Sequence, residues 1–439
     1  MIRNTALPSL RLRSRDASHG WLTRAARRGV LAHLREISTG RLALQEGSNR
    51  LEFGPASASQ SAQITVHDPA LYRAVAFNGA LGAGESFIRG DWSTDDLVGL
   101  LRLFLQNEAL FARLDGILAR TTAPLVKLFH ASRRNTRKGS RRNIAAHYDL
   151  GNDFYRLFLD ETMTYSAGIF ERKDATLRDA SVAKLERVCR KMNLQPGMRI
   201  LEIGTGWGSF AIHAARTYGC HITTTTISKE QYDYAAQQVA DHKLGHLITL
   251  LNEDYRALIG KYDRVVSIEM IEAVGHHYLG TFLAQCERLL TADGQMVIQA
   301  ITMAERYYKQ ALHKVDFIKR FVFPGSFIPS LGAIQQSLTE NTRLQQVHQE
   351  DFGPHYAITL RHWRKRFLGN RAQIQALGYS DALIRMWEYY LAYCEAGFLE
   401  RTIGVSQLIY NMPQCRARPP LPPLDSLFAA VPSHYGQMG

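Results

Sequence analysis

No two of the five cysteines, at positions 189, 220, 286, 394 and 415, stand in a C-x-x-C or other paired spacing. A disulfide framework is thereby excluded, no metal-ligand set is expected, and the thiols read as reduced side chains of a cytosolic protein. No run of about 18 or more apolar residues is present to span a bilayer. The start of the chain also lacks the long apolar segment of a secretory signal. Acid is nearly missing there: the first 35 residues hold eight arginines and one acidic residue, Asp16. Such a start has the make-up of an organelle transit peptide as well as of a polyanion-binding tail.

What is present in excess is positive charge, +13 overall. The first 35 residues contribute +7, and RRNTRKGSRR, from Arg133 to Arg142, contributes +6. Blocks of this kind bind polyanions, whether nucleic acid, anionic membrane or acidic protein, or else serve as solvated linkers. Charge names a class of partner and no function.

The pattern divides the chain into a basic tail (1–35), a small domain (36–115), a basic linker (116–142), a large domain (143–412) and a Pro-rich end (413–439). In the small domain the strand-like runs RLALQ and SAQITVHD precede GALGAGESFIRGDW, whose closely spaced glycines imply turns, and then the helix DDLVGLLRLFLQN. In the large domain RILEIG (199–204), HITTTTI (221–227), HLITLLNED, YDRVVSIEM (262–270) and QMVIQAIT (295–302) read as strands. Helical patterns alternate with them, one of them N-capped by Ser228. Strict alternation predicts an α/β fold, a parallel sheet with helices on both faces.

Ligands of such sheets sit beyond the carboxyl ends of the strands, near the first strand-to-helix turn. That turn is E-I-G-T-G-W-G, Glu202 to Gly208, in which Gly204 and Gly206 let the backbone approach a ligand closely. It is neither the dinucleotide G-x-G-x-x-G nor a phosphate-gripping G-K-[ST] loop. A glycine turn preceded by an acid, without a phosphate cradle, suits S-adenosylmethionine. Thr226, Ile227, Ser228 and Gln231 follow the second strand, in reach of a ribose. Asp254, Tyr255 and Arg256 follow the third, beside an adenine. Strand-end capping is the plainer reading of each.

HYDLGNDFYRLFLDETMTYSAGIF, LEIGTGWGSF, TTTISKEQYDYA, DRVVSIEMIEAVGHHY, FPGSFIPS and GPHYAITLRHW, in this order and spacing, resemble the cyclopropane-fatty-acid synthases. The mycolic acid cyclopropane synthases are similar over the same region, about 143 to 410. GALGAGESFIRGDW is similar to the accessory domain of the bacterial phospholipid enzymes. The resemblance implies a Rossmann-like class I methyltransferase sheet, an added helical lipid-binding part and a small N-terminal α+β domain. It further implies transfer of the S-adenosylmethionine methyl group to a cis double bond of a phospholipid acyl chain. An alkene is a weak nucleophile, so alignment and exclusion of water are the main tasks. The cation formed needs π-electrons or negative charge nearby, and a base to take a proton so that the ring closes. In this family the base is a bicarbonate ion held in a small polar pocket.

The resemblance assigns Glu272 to that pocket, with Tyr356 and the backbone of Ile301. Their plainer readings are a capping acid and a core tyrosine. In MTYSAGIF, Tyr165 and Ser166 are expected against the cofactor, and Ala167 stands where the family generally has cysteine. Gln299 replaces a usual histidine before the fifth-strand Ala-Ile, and Ala273 another after Glu272. Glutamine keeps a donor and an acceptor for a carbonate oxygen but cannot carry a proton. Cys394 matches a recurring family cysteine and reads as a buried structural thiol more readily than as a nucleophile.

Impaired ring closure would leave a methyl- or methylene-branched chain, the product of some relatives. A nucleic-acid methyltransferase would fit the charge, but the only double prolines are RPPL and LPPL in the tail, and none of the five cysteines follows a proline. A non-catalytic lipid-binding protein is the third reading. The expected partners are unsaturated phospholipids at an anionic membrane surface, with no nucleic acid. The enzyme is expected in the cytoplasm, peripherally on the inner membrane face, and a homodimer is left open.

Overall fold

The structure, a computed structural model, describes residues 20–110 and 150–417. The expected linker (116–142) lies outside the described residues, as do 1–19 of the tail and 418–439 of the Pro-rich end. The remainder of the basic tail is a helix. In α1 (Trp21–Leu34) the residues Thr23, Val30, Leu31 and Leu34 are buried, giving the helix an apolar side to pack. Arg27 ties it to the small sheet by donating to Glu46 through Nε at 2.8 Å.

That sheet has four strands in the order β2-β1-β3-β4: β1 (Arg41–Glu46), β2 (Asn49–Phe53), β3 (Ser61–Val66) and β4 (Trp92–Ser93). Between β3 and β4 runs α2 (Ala70–Arg89), which contains the glycines read from sequence as turns. They form one helix broken only at Gly79, where φ is 53°. Gly90 turns the chain at the helix end with a φ of 85°, whereas Gly84 serves close approach: a Cβ there would come within 2.5 Å of the Phe317 ring of the large domain. The helix α3 (Leu97–Gln106), N-capped by Asp96, closes the small domain with Leu100 and Leu103 fully buried.

The large domain opens with α4 (Asn152–Arg156) and α5 (Leu177–Lys191), the latter begun by a Thr176–Asp179 capping box. Then β5 (Arg199–Ile203), α6 (Ser209–Tyr218), β6 (His221–Thr225), α7 (Lys229–Asp241), β7 (Ile248–Leu251), β8 (Tyr262–Ile268), α8 (Leu279–Leu289) and β9 (Leu290–Met303) alternate as their patterns require. After α9 (Glu305–His313) and α10 (Leu331–Asn341) come β10 (Gln345–Asp351), α11 (Gly353–Gly369), α12 (Arg371–Ala376), α13 (Asp381–Leu399) and β11 (Ile403–Asn411).

The sheet order is β10-β11-β9-β8-β5-β6-β7. The five strands from β9 to β7 are parallel, and this is the Rossmann-like α/β arrangement the alternation predicted. The last two strands depart from it, since β11 lies antiparallel to both β9 and β10. The helices α11–α13 deliver the chain to the carboxyl end of β9, where Ile403 pairs with Met303, so β11 can only run back. Those helices cover the ligand end of the sheet and build an aromatic core from Phe154, Phe158, Trp363, Phe367 and Trp387. The short helix with Phe317 wedges against α13, with its ring 4.5 Å from that of Tyr389.

Candidate active site

At the carboxyl ends of β5, β6 and β8 the chain encloses a cavity of ≈ 290 Å³. Fifteen of the seventeen site residues expected from sequence line it, with Gly204, Gly206 and Trp207 forming one wall, and the other two, Ala167 and Gln299, bond to Glu269 on its lining. Gly204 has a φ of 105° and lies under Met270, so that a side chain there would be both strained and crowded. Gly206, with a φ of 53°, has nothing within 4 Å of where a Cβ would stand, which leaves a cradle beside the turn.

Glu202, just before that turn, is buried, and its carboxylate accepts from Thr224 Oγ1 at 2.6 Å. Burial pushes its pKa up to about 8, against the pull of Thr224 and of the Lys184 charge. Thr226 Oγ1 donates to Gln231 Oε1 at 2.9 Å, and Ser228 caps α7 as expected. Ile227 lines the same side. Asp254 and Arg256 bind one another at 2.8 and 2.6 Å, and Asp254 also accepts from the Arg256 backbone N–H. Capping is therefore part of what Asp254 does, although it, Tyr255 and Arg256 all line the cavity.

On the opposite wall Tyr165 and Tyr390 join their hydroxyls at 2.8 Å. Ser166 accepts from Lys184 Nζ at 2.8 Å. Lys184 is buried on the apolar side of α5, where burial lowers its pKa to about 8 while Glu269, Glu202 and Asp160 hold it up. Cys394 also faces the cavity, but burial pushes its thiol well up, so the neutral form persists and a nucleophilic thiolate is disfavoured.

The polar pocket is assembled around a residue that sequence reasoning missed. Glu269 accepts from three donors: Ala167 N at 2.9 Å, Gln299 Nε2 at 2.8 Å and Tyr356 OH at 2.7 Å. Its backbone has a φ of 49°, a left-handed conformation that costs about 1–2 kcal/mol in a residue with a side chain. Burial raises the Glu269 pKa, while its three donors and Lys184 pull it back. Tyr356 stacks on Phe398 at 4.4 Å, and its own pKa is pushed far up by burial and by Glu269.

Glu272, one 3-10 turn on, accepts from Ile301 N at 2.6 Å through Oε1. Its Oε2 is buried with no hydrogen-bond partner among the described residues. Burial, then repulsion from Glu269, pushes its pKa up to about 8. The expected bicarbonate does not fit this arrangement. Each donor assigned to it already meets a carboxyl group of the chain, and a further anion would face two buried glutamates. The missed signal was the E-x-x-E of IEMIE, which supplies a second acid beside the Ala167, Ala273 and Gln299 departures. For Lys184 the signal was a lysine among Ala180, Ser181, Leu185 and Val188 on the buried side of its helix.

Among the described residues no group of three or more His, Cys, Asp or Glu side chains is placed to hold a metal ion. The residues present do fit S-adenosylmethionine: the open cradle at Gly206, the unpartnered Glu272 Oε2 and the aromatic walls suit a ligand with amino-acid, sulfonium and ring parts.

Fold and site together are those of a class I S-adenosylmethionine-dependent methyltransferase. The family model for mycolic acid cyclopropane synthetase matches residues 135–408, and the chain belongs to that family. It is 38% identical over 400 residues to a tuberculostearic acid methyltransferase of Mycobacterium tuberculosis, covering 87% of this chain and 92% of the other. It is 34% identical over 355 residues to the cyclopropane-fatty-acyl-phospholipid synthase of Escherichia coli, covering 80% and 88%. A crystal structure of a mycolic acid cyclopropane synthase complexed with SAH and CTAB superposes with a TM-score of 0.58 at 33% identity, over 62% of this chain and 98% of the other. The chain therefore spans most of the length of these relatives.

Proposed function

We propose that this protein transfers the methyl group of S-adenosylmethionine to a cis double bond of an unsaturated phospholipid acyl chain, and that Glu269 removes the proton that closes a cyclopropane ring. The observation that carries the reading is the convergence of Ala167 N, Gln299 and Tyr356 on one buried carboxylate in the cavity that also holds the glycine turn. S-adenosylmethionine, when bound, supplies an electrophilic methyl group. Gly204, Gly206, Glu202, Thr226, Gln231 and Asp254 are the residues that would hold it. Tyr165, Tyr390, Tyr356 and Phe398 offer π faces to the positive charge that develops on the acyl chain. The enclosed apolar lining keeps water from that cation. Glu269 then accepts the proton, and burial, which raises its pKa, makes it a stronger base than an exposed carboxylate.

Met270, the residue after Glu269, lies against Gly204 of the glycine turn. Glu269 itself lines the cavity that the glycine turn also lines, and a base beside the residues that would hold the cofactor favours ring closure. A branched product is the second reading, supported by the similarity to a tuberculostearic acid methyltransferase and by Gln299 and Ala273.

The test uses purified full-length protein, methyl-labelled S-adenosylmethionine and vesicles of dioleoyl phosphatidylglycerol. NMR of the product acids distinguishes ring from branch. Glu269→Gln is expected to lose about 100-fold or more of kcat while still binding the cofactor. Wild-type turnover in that variant would exclude Glu269 as the base.

A further inference from the structure

Gln299 is held from behind as well as in front. Its Oε1 accepts from Gln407 Nε2 on β11 at 2.9 Å, and Gln407 Oε1 accepts from Lys191 Nζ at 2.6 Å. Lys191, the last residue of α5, also donates to Glu350 Oε2 at 2.5 Å, and Arg187 donates to Glu350 through Nε at 2.7 Å. An unbroken line of hydrogen bonds thus runs from a half-exposed ion pair through Lys191, Gln407 and Gln299 to Glu269. Both glutamines are fully buried, and so is most of Lys191.

The ends of this line dictate its middle. An ammonium only donates and a carboxylate only accepts, whereas a primary amide has one end of each kind. Gln407 must therefore turn its oxygen to Lys191 and its NH₂ to Gln299. Gln299, its oxygen now occupied, turns its NH₂ to Glu269. Reversing either amide would set two acceptors or two donors face to face where both side chains are fully buried. We infer that Lys191 and Gln407 are positioning residues of the active site, which orient Gln299 so that an N–H faces Glu269 and its carbonyl cannot. The inference rests on Glu269 being the base.

The titratable groups around Glu269 are Tyr356 on α11, Lys184 on α5 and Glu272 on the following turn. Those around Lys191 are Arg187 on its own helix and Glu350 and His348 on β10. None of these side chains is replaced by a change at Gln407, and Gln407→Met frees the Gln299 amide without adding a charge.

Gln407→Glu keeps the size and the acceptor for Lys191 but cannot donate while ionised. Gln299 must then give its NH₂ to the new carboxylate and present its carbonyl to Glu269. Gln407→Met removes both polar ends and leaves Gln299 free to turn. In the vesicle assay kcat at pH 7 is expected to fall in the order wild type, Met, Glu, with a loss of about ten-fold for Glu. The acidic limb of the kcat profile should rise by about one pH unit in the Glu variant. KM for S-adenosylmethionine should stay within about two-fold. A purely structural role would instead make activity follow the melting temperatures of the two variants, and that result overturns the inference. So does a wild-type kcat and pH profile in Gln407→Glu when Glu269→Gln is inactive. An active Glu269→Gln would overturn the base reading itself, and this inference with it.

Discussion

Glu269 and Glu272 share one buried space, and two carboxylates so placed do not both ionise easily. Their partners decide the division. Glu269 has three donors and a lysine nearby, whereas Glu272 has one backbone N–H and a bare second oxygen, so Glu272 keeps its proton near neutrality. This has a measurable consequence for stability. The Glu272 pKa rises from an ordinary 4.5 to about 8 on folding, so between these values the folded chain holds a proton the unfolded chain has released. Its contribution to stability is therefore lost as pH rises through that window. Glu272→Gln lacks this loss. The melting temperature of the variant minus that of the wild type, without cofactor, is expected to increase steadily from pH 5 to pH 8. A flat difference would mean that Glu272 titrates normally.

Elements meet at the active site through small residues. Gly84 on α2 lets the small domain lie against Phe317 and Tyr389, and the segment that carries Phe317 also supplies Ile318 and Phe323 to the cavity wall. Arg102 of α3 reaches across to Glu400 beyond α13 at 2.5 Å, and Arg385 of α13 donates to the Phe87 carbonyl of α2 at 3.1 Å. The small domain in this way buttresses the cavity wall that carries Ile318 and Phe323, the side where we propose the acyl chain lies. Gly84→Val would force the Phe317 ring aside, and overpacking of this kind destabilises by about 1–3 kcal/mol. We expect a lower melting temperature and, because Ile318 and Phe323 shift with Phe317, a higher KM for vesicle lipid than for cofactor. An unchanged ratio of the two KM values would separate the small domain from the lipid side.

The whole chain carries +13, and none of the helices among the described residues is long and apolar enough to cross a membrane. We propose that the molecule works from the surface of an anionic leaflet, where each Lys or Arg contributes about 1 kcal/mol. Supporting this, α1 exposes Trp21 (71%) and Leu22 (45%) beside the exposed Arg24 and Arg28, a mixture suited to an interface. Sedimentation with phosphatidylglycerol vesicles is expected to exceed that with phosphatidylcholine at low salt and to lose the difference at high salt. Trp21→Ala should weaken both. Equal binding to the two lipids would remove charge as the cause.

The sequence by itself determined the five parallel strands of the sheet, the glycine turn and most of the residue types of the pocket. These rest on local periodicity, on positive-φ turns that require glycine, and on motifs contiguous along the chain. It also carried Tyr165, Gln231, Glu272, Gln299 and Tyr356, since each belongs to such a motif. Only the tertiary structure decided what those residues hold. Whether Gln299 meets an ion or a side chain depends on Glu269, aimed inward by a left-handed backbone. How the Gln299 amide is turned depends on Lys191 and Gln407, which lie more than a hundred residues from it along the chain. Gly84 was misread for the same reason: it serves contact with Phe317, a residue far along the chain, whereas Gly79 and Gly90 do make turns. Hydrogen-bond polarity and close packing are properties of neighbours in space, and local pattern does not encode them.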